Sequence, residues 1–245
     1  QEKLEDVALQ VHALGGTASV HRCDLTDIDD IDRMADEVLE RHEHVDILIN
    51  NAGRSIRRSI SRSYERFHDY QRTMQVNYFG PVKLILKLLP VMREQGSGHI
   101  INISSIGLQT NTPRFAAYLA SKAALDAFSR SIGPEIIDDG VHLTTVYMPL
   151  VRTPMIAPTK IYDRFPTLSP EEAGHMIAEA IRKRPKRMAT VLGNIGQLSY
   201  AMVPGAQDLV VNRAYQLFPE GDAQAAKEPT AEQRAFAAAT RGVHW

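Results

Sequence analysis

One cysteine in 245 residues excludes an internal disulfide framework and suits a reducing compartment, the cytoplasm. A dominant charge is missing as well. Lys and Arg number 28 against 29 Asp and Glu, a formal net charge of −1, so no global field draws the chain to nucleic acid or anionic lipid. The longest run without a charged residue, Met188 to Gln207, is interrupted by Gly193, Asn194, Gly196, Gln197, Pro204 and Gly205 and is too polar to span a membrane. No N-terminal stretch reads as a secretory signal. No metal is expected. His42 and His44 straddle a helix end without Cys or acidic partners, and His99 opens an apolar strand. Internal repeats are absent.

What is there is an alternation of short apolar runs with longer amphipathic ones. Ala18–Cys23, Asp46–Asn50, His99–Ser104, Leu143–Met148 and Met188–Leu192 are rich in Val, Ile or Leu and read as strands covered on both faces. Helices are expected over Glu2–Leu14, Asp27–His42, Ser63–Gln95 (whole or divided), Arg114–Asp138 and Pro170–Arg184. Gly15-Gly16 closes the first. Ser169-Pro170-Glu171-Glu172 opens the last with an N-cap, a proline at the first helical position and acid in the first turn. This order predicts an α/β fold, a Rossmann-type doubly wound parallel sheet. Ligands of such folds sit beyond the carboxyl ends of the strands, which directs attention to Asp24, Asn50–Gly53, Ser104–Ser105 and Met148–Thr153.

The run F-A-A-Y-L-A-S-K-A-A-L (115–125) places Tyr118 and Lys122 four apart, stacked on one helix face. A phenol titrates near 10 in isolation, and a neighbouring ammonium favours phenolate. The pair therefore suits acid–base work, with the hydroxyl of Ser105 at a strand end able to share a substrate oxygen. Taken alone, a Tyr-x-x-x-Lys pair is equally ordinary helix decoration.

Four segments in order, N-N-A-G (50–53), M-Q-V-N-Y-F-G (74–80), I-I-N-I-S-S-I-G (100–107) and Y-L-A-S-K (118–122), resemble the short-chain dehydrogenase/reductase family. The resemblance implies that Tyr118 donates a proton, Lys122 lowers its pKa and holds the nicotinamide ribose, Ser105 polarises the carbonyl and Asn77 anchors a water in a proton relay. It places Asp24 and Leu25 at the adenine and Asn51, Ala52 and Gly53 at the adenosine ribose. Val151 and Thr153 fall near the nicotinamide carboxamide of NADPH or NADH.

Two departures stand out. The family's Gly-rich turn after the first strand has no counterpart here, because Gly15-Gly16 follows a helix and precedes a strand. Residues 1–192 are accordingly expected to be a catalytic domain lacking its first βαβ unit. With the strand ending at Asn50 left as an unpaired edge, such a fragment is expected to aggregate and bind dinucleotide poorly. The second departure is M-P-L-V-R-T-P-M-I-A-P-T (148–159) where the family shows Pro-Gly-x-Val-x-Thr. Together with N-N-A-G-R-S-I-R-R-S-I and the terminal R-G-V-H-W, it resembles the bacterial long-chain fatty acyl-CoA reductases.

That resemblance implies hydride reduction of an acyl-CoA thioester to a fatty aldehyde, with no covalent thiol. Cys23 is expected to pack at the adenine end. Arg54, Arg57, Arg58, Arg62 and Arg66 follow N-N-A-G against Glu65 alone and could grip CoA phosphates, or form a solvated face of local ion pairs. Met155 is a candidate acyl contact, and Ile156–Phe165 with the helix from Pro170 would form a lid. The basic run Arg182–Arg187 reads as a helix C-terminus complementing its dipole. Residues 193–245 are expected to pack on the same domain and to end in a polar linker from Pro219. Within them the apolar stretch Ile195–Phe218 could line an acyl tunnel, pair subunits of a homo-oligomer, touch a membrane surface or simply fill core. A ketone or alcohol dehydrogenase for a sterol or oxo-lipid fits the same site, and a catalytically idle dinucleotide sensor is the reading from another class.

Overall fold

The structure, a computed structural model, describes residues 2–156, 162, 165–218 and 230–241. The remainder of the expected lid, the polar linker from Pro219 and most of the R-G-V-H-W tail lie outside the described residues. Four strands form one parallel sheet in the order β1 (Ile47–Asn50), β2 (Gly98–Ser105), β3 (Val141–Met148) and β4 (Arg187–Met188). Around it, in chain order, run α1 (Glu2–Ala13), α2 (Ile28–His42), α3 (Phe67–Met74), α4 (Gly80–Gln95), α5 (Ile106–Thr110), α6 (Ala116–Ile132), α7 (Pro170–Lys183), α8 (Val191–Met202), α9 (Pro204–Leu217) and α10 (Ala231–Arg241).

β2 is the spine of the sheet, paired on both sides and buried from Gly98 to Ser104. Successive side chains point to opposite faces. Ile100 joins Ile85 and Met92 of α4 and Leu125 of α6, while Ile101 and Ile103 join Met176 and Ala180 of α7. A second layer forms where Ile31 and Ala35 of α2 meet Leu84 and Leu88 of α4. Each fully buried isoleucine contributes about 2 kcal/mol from its apolar area. Between faces, Asn50 Nδ2 donates to Asn102 Oδ1 at 2.8 Å, and Asn102 Nδ2 donates to Ser129 Oγ at 2.8 Å, a polar brace that fixes the register of β1 on β2 and α6.

Helix ends follow the sequence. Asp27 caps α2 through the amides of Asp29 and Asp30. Ser169 and Glu172 form a complete capping box on α7. The expected helix 63–95 is divided: α3 and α4 are joined by a π-helical turn, Gln75–Phe79, centred on buried Asn77. Such turns cluster at functional sites. Gly80, next along, lets the backbone pass Leu25, whose carbonyl would lie 2.8 Å from any Cβ there.

Two expected strands are corrected. Ala18–Cys23 is extended without a ladder, because a strand exists only through pairing and no described strand runs beside it. Among the described residues β1 likewise has a ladder on one side only, with Ile47 and Ile49 37 % and 38 % exposed. Met188–Leu192 pairs only at Arg187–Met188, because Thr190 caps α8 by accepting from the Gly193 amide. The helix expected to run to Asp138 ends at Ile132, where Gly133-Pro134-Glu135 tightens into a 3₁₀ turn.

Candidate active site

At the carboxyl rim of the sheet Ser105 ends β2 and caps α5, its Oγ accepting from the Gly107 amide at 3.1 Å. Tyr118 lies in the first turn of α6. Burial pushes its phenol above the ordinary value, and the nearby Ser105 hydroxyl pulls the other way. The direction differs from the acidified phenol that the Lys122 neighbour suggested: desolvation of the phenolate outweighs any gain.

Lys122, one turn on, is 4 % exposed and donates from Nζ to the Ile103 carbonyl at 2.7 Å. Removal from water lowers its pKa to about 8. Gly53 faces it. A Cβ on Gly53 would stand 3.2 Å from Asn77 Oδ1 and 3.4 Å from Lys122 Nζ, so the chain after β1 passes close to both because it has no side chain there.

Asn77 is wholly buried. Its Nδ2 donates to the Arg54 carbonyl and to Ser121 Oγ, both at 2.9 Å, while Oδ1 accepts from the Arg54 amide at 2.8 Å. Both amide hydrogens are thus committed to protein, and the side chain cannot donate to a relay water. What it does is tie the loop after β1 to α6, since Ser121 Oγ donates on to the Tyr118 carbonyl at 2.6 Å. Thr73 adds a second tie, its hydroxyl donating to the Ala117 carbonyl at 3.1 Å. Sequence reasoning missed Ser121 and Thr73. The Ser preceding Lys122 was the available signal for the first.

The remaining cofactor candidates lie on the same rim or beside it. Asn51 and Ala52 are exposed. Asp24 is exposed and accepts from the Thr26 amide and hydroxyl at 2.9 and 2.8 Å, which holds its carboxyl below the usual range. Leu25 packs against α2 and α4 and abuts Gly80. Val151 bridges to Leu168, and Thr153 Oγ1 donates to the Val151 carbonyl at 3.4 Å. Close backbone passage at Gly53, exposed Asn51 and Ala52 and the Lys122 ammonium fit the two riboses of a dinucleotide.

The arginine segment separates into two roles. Arg58 Nε donates to Asp69 at 3.1 Å and Arg66 Nε to the same oxygen at 2.9 Å, with His68 3.3 Å away. Asp69 is 3 % exposed, and its carboxyl is held low first by Arg66, then against its burial by Arg58 and His68. Arg58 is thereby removed from the phosphate candidates: its guanidinium anchors the loop, and its amide donates to the Arg114 carbonyl at 2.6 Å. Arg57 is half-buried and has no ion pair among the described residues, whereas Arg54 is exposed. Tyr162, also missed in the sequence, has its phenol pushed up to about 12 by burial, in the fields of Arg57, Arg114 and Tyr118. Met155 is exposed on the turn closed by Ile156 N donating to the Thr153 carbonyl. Among the described residues no cluster of His, Cys, Asp and Glu could hold a metal.

Comparison with known proteins places the chain in a family. The profile of the family described as short chain dehydrogenase matches residues 1–161. A fatty acyl-CoA reductase of Acinetobacter baylyi is 51 % identical across the whole chain, which covers 84 % of that protein. A fatty acyl-CoA reductase of Mycobacterium tuberculosis is 50 % identical over 77 % of the chain and 65 % of that protein. Among solved structures, a short-chain dehydrogenase from Streptomyces avermitilis superposes with a TM-score of 0.68 at 28 % identity, covering 87 % of this chain and 85 % of that one. A metagenomic short-chain oxidoreductase in complex with NADP gives 0.57 at 33 % identity, covering 60 % of this chain and 65 % of that one.

Proposed function

The chain belongs to the short-chain dehydrogenase family and is an NAD(P)-dependent oxidoreductase; we propose that it reduces a long-chain fatty acyl-CoA to a fatty aldehyde, in the cytoplasm. The arrangement that supports the chemistry is Ser105 at the end of β2 and Tyr118 in the first turn of α6, one helical turn from buried Lys122. The names of the Acinetobacter and Mycobacterium relatives support acyl-CoA as the substrate.

Asn51, Ala52 and Gly53 with Asp24 and Leu25 would hold the adenosine half of NADPH or NADH, and Lys122, Val151 and Thr153 the nicotinamide half. When bound, the reduced nicotinamide supplies hydride to the thioester carbonyl carbon. Ser105 donates a hydrogen bond to the developing oxyanion, and Tyr118 transfers its proton to it. A phenol whose pKa is raised by burial carries that proton throughout the neutral range, which suits an acid. The hemithioacetal then breaks its C–S bond: sulfur leaves with the electron pair and takes up the hydroxyl proton as the C=O bond reforms. No protein thiol takes part. Cys23 packs against α2 with its own pKa raised by burial and then Asp30, the opposite of an activated nucleophile.

Arg57, half-buried and unpaired among the described residues, is the phosphate ligand in this proposal, with Arg54 at its rim and Met155 on the acyl side. The test is consumption of NADPH by the chain joined to a Gly-rich first βαβ unit, with palmitoyl-CoA, a long-chain aldehyde and a steroid ketone in parallel. Aldehyde and free CoA thiol released in equal amounts from palmitoyl-CoA are expected. Turnover of the steroid ketone alone would transfer the assignment to a ketone reductase.

A further inference from the structure

On α8, Val191, Ile195, Leu198 and Met202 recur four, three and four residues apart, one face of a helix, and stand 44, 54, 64 and 73 % exposed. The patch continues over the turn at Val203, 53 % exposed, to Leu209 and Val210 of α9, 75 % and 60 % exposed. The opposite side of α8 is already seated: Gly193 and Gly196 press on α5, where a Cβ would strike Gln109 and Thr110. Apolar surface of this extent on a helical pair marks an interaction site.

Charge beside the patch selects the partner. Arg187 donates to Asn194 Oδ1 at 3.1 Å and Gln197 Oε1 at 2.6 Å, along the flank of the stripe. Lys183 and Arg187, with Glu179, Pro185, Met188, Ala189 and Asn194, border a cleft of about 410 Å³ at the root of α8. Five of the six residues Arg182–Arg187 are cationic, and the one acid in this cleft, Glu179, is already held by Arg182 and Lys183 at 3.1 and 3.0 Å. A second copy of the chain docking through the stripe would carry a like-charged basic run into the same interface. An anionic bilayer satisfies both features, with acyl chains meeting the stripe and phosphates meeting the basic root. No helix among the described residues is long and apolar enough to cross a membrane.

We propose that the α8–α9 hairpin docks the protein on anionic phospholipid surfaces, its apolar face lying in the interface and Arg182–Arg187 engaging the lipid phosphates. The inference does not depend on the substrate assigned above. It does place the membrane next to the site, since α8 rests on the helix that Ser105 caps. At the other end of the hairpin, Phe218 meets Phe165, their ring centroids 5.2 Å apart, and Tyr215 lies under the Arg114 guanidinium at 4.0 Å.

The experiment is co-sedimentation of the full chain with vesicles of phosphatidylcholine alone or with about one third phosphatidylglycerol, at low and high salt. Binding at least about tenfold stronger to the anionic vesicles, lost at high salt, is expected, from about a fivefold gain per engaged cation. Leu198→Glu with Met202→Glu should abolish binding, and Arg182→Glu with Lys183→Glu should erase the preference for anionic lipid. Leu198→Trp preserves an apolar face, and its fluorescence should shift to the blue on adding anionic vesicles. Wild-type protein that ignores both vesicle types, or a Leu198→Trp signal that does not move, overturns the proposal. So does a homodimer that Leu198→Glu with Met202→Glu dissociates in the absence of vesicle binding.

Discussion

The ammonium of Lys122 donates to the main-chain carbonyl of Ile103, 2.7 Å away inside β2, so a helix side chain is fastened to the strand that carries Ser105 two residues later. Burial lowers its pKa from 10.5 to about 8. The folded state thus prefers the neutral amine, and stability contributed by this site is lost as pH falls from about 10.5 to 8. Below pH 8 the cost is fully present, about 3 kcal/mol. Lys122→Met should abolish turnover yet raise stability at pH 7 by about 2 kcal/mol, once the lost bond to Ile103 is set against the relief. The gain should vanish near pH 10.5. Urea unfolding of the two proteins at pH 7 and pH 10.5 measures it, and equal stability at both pH values would count against a strained, buried ammonium.

His99 gives a window on the acid side. It is fully buried in β2, its Nε2 is 2.9 Å from Thr144 Oγ1 and its Nδ1 has no partner among the described residues. Burial first, then Arg184 and His142, lowers its pKa to about 4. A histidine that stays neutral when folded loses stability as pH falls through 6.5 toward 4, here by about 3 kcal/mol. His99→Gln should flatten that part of the profile relative to wild type. Parallel profiles for the two proteins between pH 6.5 and 4 would remove His99 as the cause.

Arg57 and Arg58 are adjacent in sequence, but among the described residues only Arg58 has an ion pair, with Asp69. Arg58→Ala and Asp69→Asn should each destabilise by about 2 kcal/mol, because Asp69 gathers Arg58 and Arg66 in a buried site. Their effects on acyl-CoA and free aldehyde should be alike. Arg57→Ala should leave the unfolding midpoint in place and raise KM for acyl-CoA about tenfold, the loss expected of one charge-assisted phosphate contact, with KM for aldehyde little changed. Steady-state kinetics with both substrates decides it. A CoA-selective defect in Arg58→Ala, absent from Arg57→Ala, would reverse the assignment.

Much of this was legible before any coordinates. Ser105, Tyr118 and Lys122 were marked by type and spacing, and the structure brings them to one rim because β2 and α6 are read from strong local patterns. Ala18–Cys23 forms no strand for a physical reason: an apolar run reports what can be buried, whereas a ladder needs a neighbour. At 188–192 a threonine cap outweighed β-branched residues. The direction of the Tyr118 shift was also out of reach, since spacing reveals a nearby ammonium but not how much water the fold removes. Sorting Arg57 from Arg58 required Asp69, eleven residues downstream of Arg58 and brought back by α3.

The most direct measurement is turnover of palmitoyl-CoA by the chain joined to a Gly-rich first βαβ unit and by its Tyr118→Phe variant, which removes one oxygen and keeps the ring packed against Phe115. Loss of proton transfer predicts a kcat lower by about a thousandfold, with bound dinucleotide unchanged by fluorescence titration. Turnover within a few-fold of wild type would contradict the account.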